Sequence, residues 1–131
     1  MRLNGIIQMN PYTMELVTEA IQYLSKKYPV YISAEQLAME VNLDIKKLQA
    51  GFKRSVGFTV HQYQIHLRIE QAKSDLADFR LSVKLISYRN GFKDTSQFGK
   101  IFKKNVGQTP LEYRERLTPK GNHLYEGNDK G

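Results

Sequence analysis

The chain has 131 residues, which is enough for one compact domain and too few for a large multi-domain enzyme. Its 20 Lys and Arg outweigh its 13 Asp and Glu, and the resulting net charge of +7 favours a polyanionic partner such as nucleic acid. The absence of cysteine excludes disulfide bonds, thiol catalysis and every zinc site built on Cys ligands.

The N-terminal segment has neither the composition of a secretion signal nor that of a membrane anchor. Residues 1–10 contain one Arg and no apolar stretch of about 7 to 15 residues, which a signal peptide requires. Nowhere does an apolar run approach the roughly 20 residues that span a bilayer. We therefore expect a soluble, cytoplasmic protein without membrane contact, in which residues 1–12 form a tail.

The first helix is predicted over residues 14–27. Thr13 can cap it, Lys26 and Lys27 suit the negative end of its dipole, and its apolar residues recur on one face, namely Val17, Ala20, Ile21 and Leu24. Residues 28–32 resemble a strand in composition, but Pro29 favours an extended connector.

Three later helix starts carry the Ser/Thr-x-x-Glu/Gln capping box, in which two side chains satisfy each other's backbone N–H groups. They are Ser33 with Gln36, Thr59 with Gln62, and Thr109 with Glu112. Pro110 strengthens the last of them, because a proline at the first helical position loses no hydrogen bond.

An internal repeat with a period close to 50 residues organises the chain. Six residues recur at an offset of 50, as the pairs Phe52/Phe102, Lys53/Lys103, Val56/Val106, Gly57/Gly107, Thr59/Thr109 and Tyr63/Tyr113. Upstream, three positions match at an offset of 49, as Ser33/Ser82, Leu37/Ile86 and Leu43/Phe92. The one-residue slip falls in a turn, where length changes are tolerated.

Each copy predicts a short capped helix, a tight turn and a second helix, which together form a helix-turn-helix. The first copy is predicted over residues 33–54 and the second over residues 82–105. Their turns contain Asn42, Asn90 and Gly91, residue types that accept left-handed backbone geometry.

A longer helix, residues 60–78, is predicted between the two copies, and its apolar residues cover more than one face, as expected if it packs against both copies. The predicted fold is therefore all-α with about seven helices, in which this linker helix joins two helix-turn-helix subdomains. We expect the domain to span residues 13–118 and residues 119–131 to form a second tail.

The second copy carries the most specific pattern, Gly91-Phe92 followed by Ile101-Phe102-Lys103-Lys104, Gly107, Thr109-Pro110 and Tyr113-Arg114. With this spacing the chain resembles the C-terminal DNA-binding domain of the AraC/XylS family of bacterial transcription regulators. The first copy is similar to the family's first motif, through Leu37-Ala38, Leu48, Phe52-Lys53, Gly57, Tyr63, Arg68 and Ala72. The resemblance covers about residues 17–117.

Three positions depart from the family pattern. Ser87 stands where alanine is usual, and Gly51 and Gly99 lie inside the predicted recognition helices. An interior glycine costs a helix up to about 1 kcal/mol relative to alanine, so these helices depend on tertiary packing or on a ligand.

The resemblance implies sequence-specific binding of double-stranded DNA in transcription regulation, with two recognition helices in successive major grooves. Apolar stripes through Leu48 and Phe52, and through Phe98 and Phe102, are expected to face the core. The residues left for base edges are Lys46, Lys47, Gln49 and Ala50 in the first copy, and Thr95, Ser96, Gln97 and Lys100 in the second. Candidate phosphate contacts are Ser33, Lys53, Arg54, Ser82, Lys103, Lys104 and Thr109.

Charge placement supports this division. Residues 44–104 contain 13 Lys and Arg against 5 Asp and Glu, a net charge of +8, although the whole chain carries +7. The basic excess therefore lies within the paired motifs and the helix that joins them.

Other functions are weaker interpretations of the same residues. His61 and His66 are five residues apart rather than the four that place two metal ligands on one helix face, so we expect no metal, no cofactor and no catalysis. The alternative is a non-enzymatic helix-turn-helix module that binds a protein or structured RNA. RNA polymerase is a candidate further partner, and nothing in the chain resembles an effector or dimerisation domain.

Overall fold

A computed structural model describes residues 10–117, and within that range the chain forms seven helices and no strand. They are α1 (Pro11–Lys27), α2 (Ala34–Glu40), α3 (Ile45–Val56), α4 (Val60–Leu76), α5 (Val83–Arg89), α6 (Thr95–Val106) and α7 (Pro110–Leu117). The all-α prediction is confirmed, and the bounds of α2 to α6 differ from the predicted ones by two residues or fewer.

The start of α1 corrects the sequence interpretation. The helix begins at Pro11, and the side chain of Asn10 caps it by accepting a hydrogen bond from the Thr13 N–H at 2.8 Å. Thr13, predicted as the cap, is instead buried inside the first turn. Asn10 is the better cap because Pro11 has no N–H to satisfy and its fixed φ suits the first helical position. The predicted tails otherwise fall on residues 1–9 and 119–131, which lie outside the described residues.

The chain divides into two compact units between His66 and Leu67. In the first unit, α1 packs on α2 and α3, and the start of α4 completes the core. Its buried apolar residues are Ala20, Leu24, Leu37, Ala38, Val41, Leu48, Phe52 and Val60. The ring of Phe52 meets that of Tyr63 edge-on with 5.3 Å between centroids, so the predicted core face of α3 is confirmed.

The second unit is built from the second half of α4 with α5, α6 and α7. Its buried apolar residues include Ile69, Ala72, Leu76, Ile86, Phe92, Phe98 and Phe102. A row of rings runs from Phe92 through Phe98 and Phe102 to Tyr113, with successive centroids 4.9, 5.5 and 5.5 Å apart. The contact of Phe102 with Tyr113 repeats that of Phe52 with Tyr63 at the same offset of 50.

Candidate nucleic-acid interface

The two candidate recognition helices, α3 and α6, begin and end in the same way. Asp44 caps α3 by accepting from the N–H groups of Lys46 and Lys47, and Asp94 caps α6 by accepting from the N–H of Gln97. At the other ends Gly57 and Gly107 adopt φ of 78° and 89°, a left-handed geometry that glycine adopts without strain. These matched caps fix the length of both helices.

The turn before each recognition helix also repeats. Asn42 has φ of 56° and Gly91 has φ of 84°, and these residues match at an offset of 49. In the two turns, the N–H of Leu43 donates to the carbonyl of Ala38, and that of Phe92 to the carbonyl of Ser87, both at 3.0 Å. The left-handed assignment is confirmed for these two residues.

Asn90 is different, because its φ is −102° and its side chain is buried. The left-handed prediction for this residue is wrong. Its amide nitrogen donates to a carboxylate oxygen of Asp75 at 2.9 Å and to the carbonyl of Ile86 at 2.8 Å. Gly91 supplies the positive φ that the turn needs, and the Asn90 side chain points inward to its buried partners.

Asp75 is the centre of a polar cluster in the second unit that sequence analysis missed. Its carboxylate is buried and also accepts from the Gln71 amide at 3.1 Å, and Arg89 Nε lies 3.5 Å from it. Buried carboxylates need such partners, since an unpaired charge in a core is costly. The cluster ties the turn before α6 to α4. The signal that could have found it is the position of this carboxylate, three residues after the apolar Ala72 and one before the apolar Leu76.

On α3 the predicted base-reading and phosphate residues share the exposed side of the helix. Leu48, Gly51 and Phe52 are buried. The exposed residues include the predicted contacts Lys46, Lys47, Gln49, Ala50, Lys53 and Arg54. The helix therefore turns a basic, hydrogen-bonding surface to the solvent and its apolar stripe to the core.

On α6 the exposed residues include the predicted contacts Thr95, Ser96, Gln97, Lys100, Lys103 and Lys104. All of them except Gln97 line an open depression along the helix, together with Gly99. A side-chain carbon built on Gly99 would meet no atom within 4 Å, so the missing side chain leaves space in this depression. The structure thus gathers two hydroxyls and three ammonium groups on one surface of α6.

The predicted phosphate contacts at helix starts already have roles inside the protein. The hydroxyl oxygens of Ser33, Ser82 and Thr109 accept hydrogen bonds from the N–H groups of Gln36, Leu85 and Glu112, respectively, at 3.0 to 3.1 Å. The Thr109 N–H donates to the Glu112 carboxylate, and this hydrogen bond is the main cause that lowers the pKa of Glu112. An ionised carboxylate therefore lies beside Thr109, which disfavours a phosphate there.

The two histidines of α4 make aromatic and hydrogen-bonded contacts. Tyr31 Oη lies 2.8 Å from His61 Nδ1, and the ring of His66 stacks on Phe58 with 4.8 Å between centroids. Over residues 10–117 no group of three or more His, Asp or Glu is placed to hold a metal ion. In the same range no helix is long and apolar enough to cross a membrane.

Comparison with known proteins gives the same architecture. A family model described as a helix-turn-helix domain matches residues 37–116. The uncharacterized HTH-type transcriptional regulator YijO of Escherichia coli (strain K12) is 30% identical over 99 residues, which are 75% of this chain and 35% of that protein. The chain spans a similarly small share of the other curated relatives it matches.

Solved structures share the fold. A transcriptional regulator from Chromobacterium violaceum with an AraC-type DNA-binding domain has a TM-score of 0.73 at 23% identity, over 86% of this chain and 100% of that chain. The C-terminal domain of AraT, a response regulator from Geobacillus stearothermophilus, has a TM-score of 0.71 at 25% identity, over 83% and 88% of the two chains. The chain therefore belongs to the AraC/XylS family of helix-turn-helix domains, a family of DNA-binding transcription regulators and not of enzymes.

Proposed function

We propose that this domain binds double-stranded DNA in a sequence-specific manner and thereby regulates transcription, with α3 and α6 each entering a major groove. The observation that carries the proposal is the duplicated recognition helix. In both copies a buried apolar stripe faces the core, and the opposite side exposes lysines together with side chains that can pair with bases. Such a surface combines attraction to phosphates with base readout.

Base readout is proposed for the first halves of the two helices. Lys46, Lys47, Gln49 and Ala50 on α3 and Thr95, Ser96, Gln97 and Lys100 on α6 are all exposed there. Lysine reaches guanine acceptors, glutamine can pair with adenine, and an alanine methyl can contact that of thymine. The two helices carry different residues at matched positions, so the proposed site is not a repeat of one sequence.

Phosphate contacts are proposed mainly for the second halves of the same helices. Lys53 and Arg54 on α3 and Lys103 and Lys104 on α6 are exposed in the last turns. Ser82, at the start of α5, can add a backbone N–H group, whereas the N–H of Ser33, at the start of α2, already donates to the Gln36 amide oxygen at 3.0 Å. Thr109 is the weakest member of the set because of the neighbouring Glu112 carboxylate.

Two motifs in one chain suit a site whose halves are one helical turn apart, about 10 base pairs or 34 Å. Support comes from the linker, since α4 is a helix of 17 residues and no Gly or Pro occurs from Val60 to Asp78. We propose RNA polymerase as a further partner of this domain. The regulator would act in the cytoplasm, and an effector or dimerisation domain would be a separate part of it.

The experiment that tests this function is selection of bound sites from a random duplex library, followed by titration of the selected duplex at several salt concentrations. We expect one sequence with two separated blocks of preferred bases. Affinity for it should exceed that for a scrambled duplex by about 1,000-fold or more and should fall steeply with salt. Binding without sequence preference, or preference for a structured RNA over every duplex, would overturn the proposal.

A further inference from the structure

The Gln97 side chain is part of the cap that begins α6. The Asp94 carboxylate accepts from the Gln97 N–H at 2.8 Å, and Gln97 Oε1 in turn accepts from the Lys93 N–H at 2.7 Å. A backbone N–H can only donate, so the atom that faces Lys93 must be the amide oxygen. The cap of α6 therefore orients the Gln97 amide, with its oxygen toward the Lys93 N–H.

This orientation decides which bases the side chain can read. The glutamine contact that selects adenine is bidentate, and needs the amide oxygen to accept from N6–H while the amide nitrogen donates to N7. In α6 the Gln97 amide oxygen accepts from the Lys93 N–H, so the amide nitrogen is the group that remains for a ligand. An isolated donor suits the edge with the most acceptors, which is guanine with N7 and O6.

The residue at the matched position in the first copy is also a hydrogen-bond donor. Lys47 stands at the offset of 50 from Gln97, is exposed, and has a side chain that can only donate hydrogen bonds. Both recognition helices therefore present a hydrogen-bond donor at their third residue. In α3 the donor is the Lys47 ammonium group. In α6 it is the amide nitrogen of Gln97, whose oxygen takes part in the cap. Gln49 provides a contrast, since it is exposed on α3 and, within residues 10–117, its amide takes part in no cap.

We infer that Gln97 is a specificity-determining residue that reads guanine through its amide nitrogen alone, because its amide oxygen is committed to the cap of α6. The inference rests on the proposed function and deepens it. It assigns guanine, not adenine, to one base pair in the half of the site that α6 reads. Gln49, which is not held in this way, remains able to read adenine in the other half.

Gln97→Glu is the decisive variant. A glutamate keeps an oxygen for the Lys93 N–H, as glutamate does in capping boxes, but it has no donor for the guanine acceptors N7 and O6. Site selection with the wild-type protein should give guanine at one base pair of the α6 half. Replacing that guanine by adenine should weaken wild-type binding by about tenfold, which corresponds to 1.4 kcal/mol. The same replacement should change binding of Gln97→Glu by less than about twofold.

Two controls separate the cap from base readout. Gln97→Met loses both the acceptor and the donor, so it should unfold at lower urea than the wild type, and Gln97→Glu should keep the wild-type midpoint. Gln49→Glu should alter base preference in the other half only. Adenine at the Gln97-dependent base pair, or an unchanged profile in Gln97→Glu, would overturn the inference and leave the proposed function standing. A wild-type protein that selects no sequence would instead overturn the proposed function.

Discussion

Gln64 and Arg114 stand at the same place in the two copies, 50 residues apart, and each ties down the backbone that precedes a helix-turn-helix. The Gln64 amide accepts from the Ile32 N–H at 2.9 Å and donates to the Ile32 carbonyl at 2.7 Å. Arg114 is fully buried and donates to the carbonyls of Leu76 at 2.9 Å and Asp78 at 3.0 Å, at the end of α4. The repeat has kept this connection while changing its chemistry from a neutral amide to a charged guanidinium.

Replacing these two residues by methionine should destabilise the protein unequally. Arg114→Met removes hydrogen bonds that a buried charged group donates to the carbonyls of Leu76 and Asp78, and the free energy of unfolding should fall by about 3 to 6 kcal/mol. Gln64→Met removes neutral hydrogen bonds to Ile32 and to the Val60 carbonyl, and should cost about 1 to 3 kcal/mol. Urea unfolding followed by circular dichroism measures both losses. A larger loss for Gln64→Met would contradict this account of the Arg114 contacts.

Local features of the fold could be predicted from the sequence, and contacts between distant residues could not. The capping box of Ser33 and Gln36 and the positive φ of Gly91 depend on neighbouring residues and on residue type, so the pattern was sufficient. Asp75 with Asn90, and Arg114 with Leu76, join residues 15 and 38 positions apart. From sequence alone a polar side chain is expected to be exposed, and for this reason the sequence predicts a backbone role for Asn90 in the turn and not its buried contact with Asp75.

The candidate site also has features that the sequence predicts and one that it does not. The exposure of Lys46 or Lys100 followed from the apolar period of its helix, since positions between the core residues must face outward. The use of the Gln97 oxygen did not follow, because its partner is the N–H of Lys93, one residue before the cap Asp94, and not the N–H of the cap residue as in a capping box.

Asp78 should contribute stability that acid removes. Hydrogen bonds from the side chain and the backbone N–H of Arg80 lower the pKa of Asp78 from 3.8 to about 2. A group whose folded pKa is depressed stabilises the folded state above its unfolded pKa, and that contribution disappears as the pH falls from 3.8 through about 2.

The matched variant is Asp78→Asn, which cannot titrate. Its free energy of unfolding should lie below that of the wild type at about pH 5, and the difference should shrink as the pH is lowered through this window. Urea titrations at a series of acidic pH values give both curves. A difference that stays constant down to the lowest pH would show that the Asp78 charge is not responsible.

Gly99→Ala should stabilise the second unit. Gly99 lies inside α6, its missing side chain faces open space, and alanine lowers the conformational entropy of the unfolded chain. The free energy of unfolding should rise by up to about 1 kcal/mol. Gly107→Ala is the control, because φ is 89° there and the same methyl should destabilise the protein. Loss of stability in Gly99→Ala would mean that the space at this position is not open.

Lys53 and Lys103 should contribute to binding of any duplex. They match at an offset of 50, each follows a buried phenylalanine, and both are exposed. Lys53→Ala and Lys103→Ala should weaken binding to the selected site and to a scrambled duplex alike. Each should lower the slope of log affinity against log salt by up to about one unit, because one phosphate contact releases about one counterion. An unchanged slope in both variants would remove these lysines from the phosphate contacts.

The last prediction tests whether one chain reads both halves of the site through a stiff linker. The helix α4 is continuous over 17 residues, without glycine or proline, so we expect it to keep the two motifs at a fixed spacing on the DNA. Inserting about five base pairs between the half-sites rotates one half by roughly half a helical turn. Only one motif can then bind, and affinity should fall toward that for a scrambled duplex.

Inserting about ten base pairs returns the second half to the same side of the duplex but moves it by about 34 Å. A stiff linker cannot span the added distance, so affinity should stay low. A flexible connection, or two chains that each read one half, would recover binding with the longer insert. Gel-shift titration of the uninterrupted site and the two insertions distinguishes these cases, and substantial recovery with the ten-base-pair insertion would rule out reading of both halves by a single chain through a rigid α4.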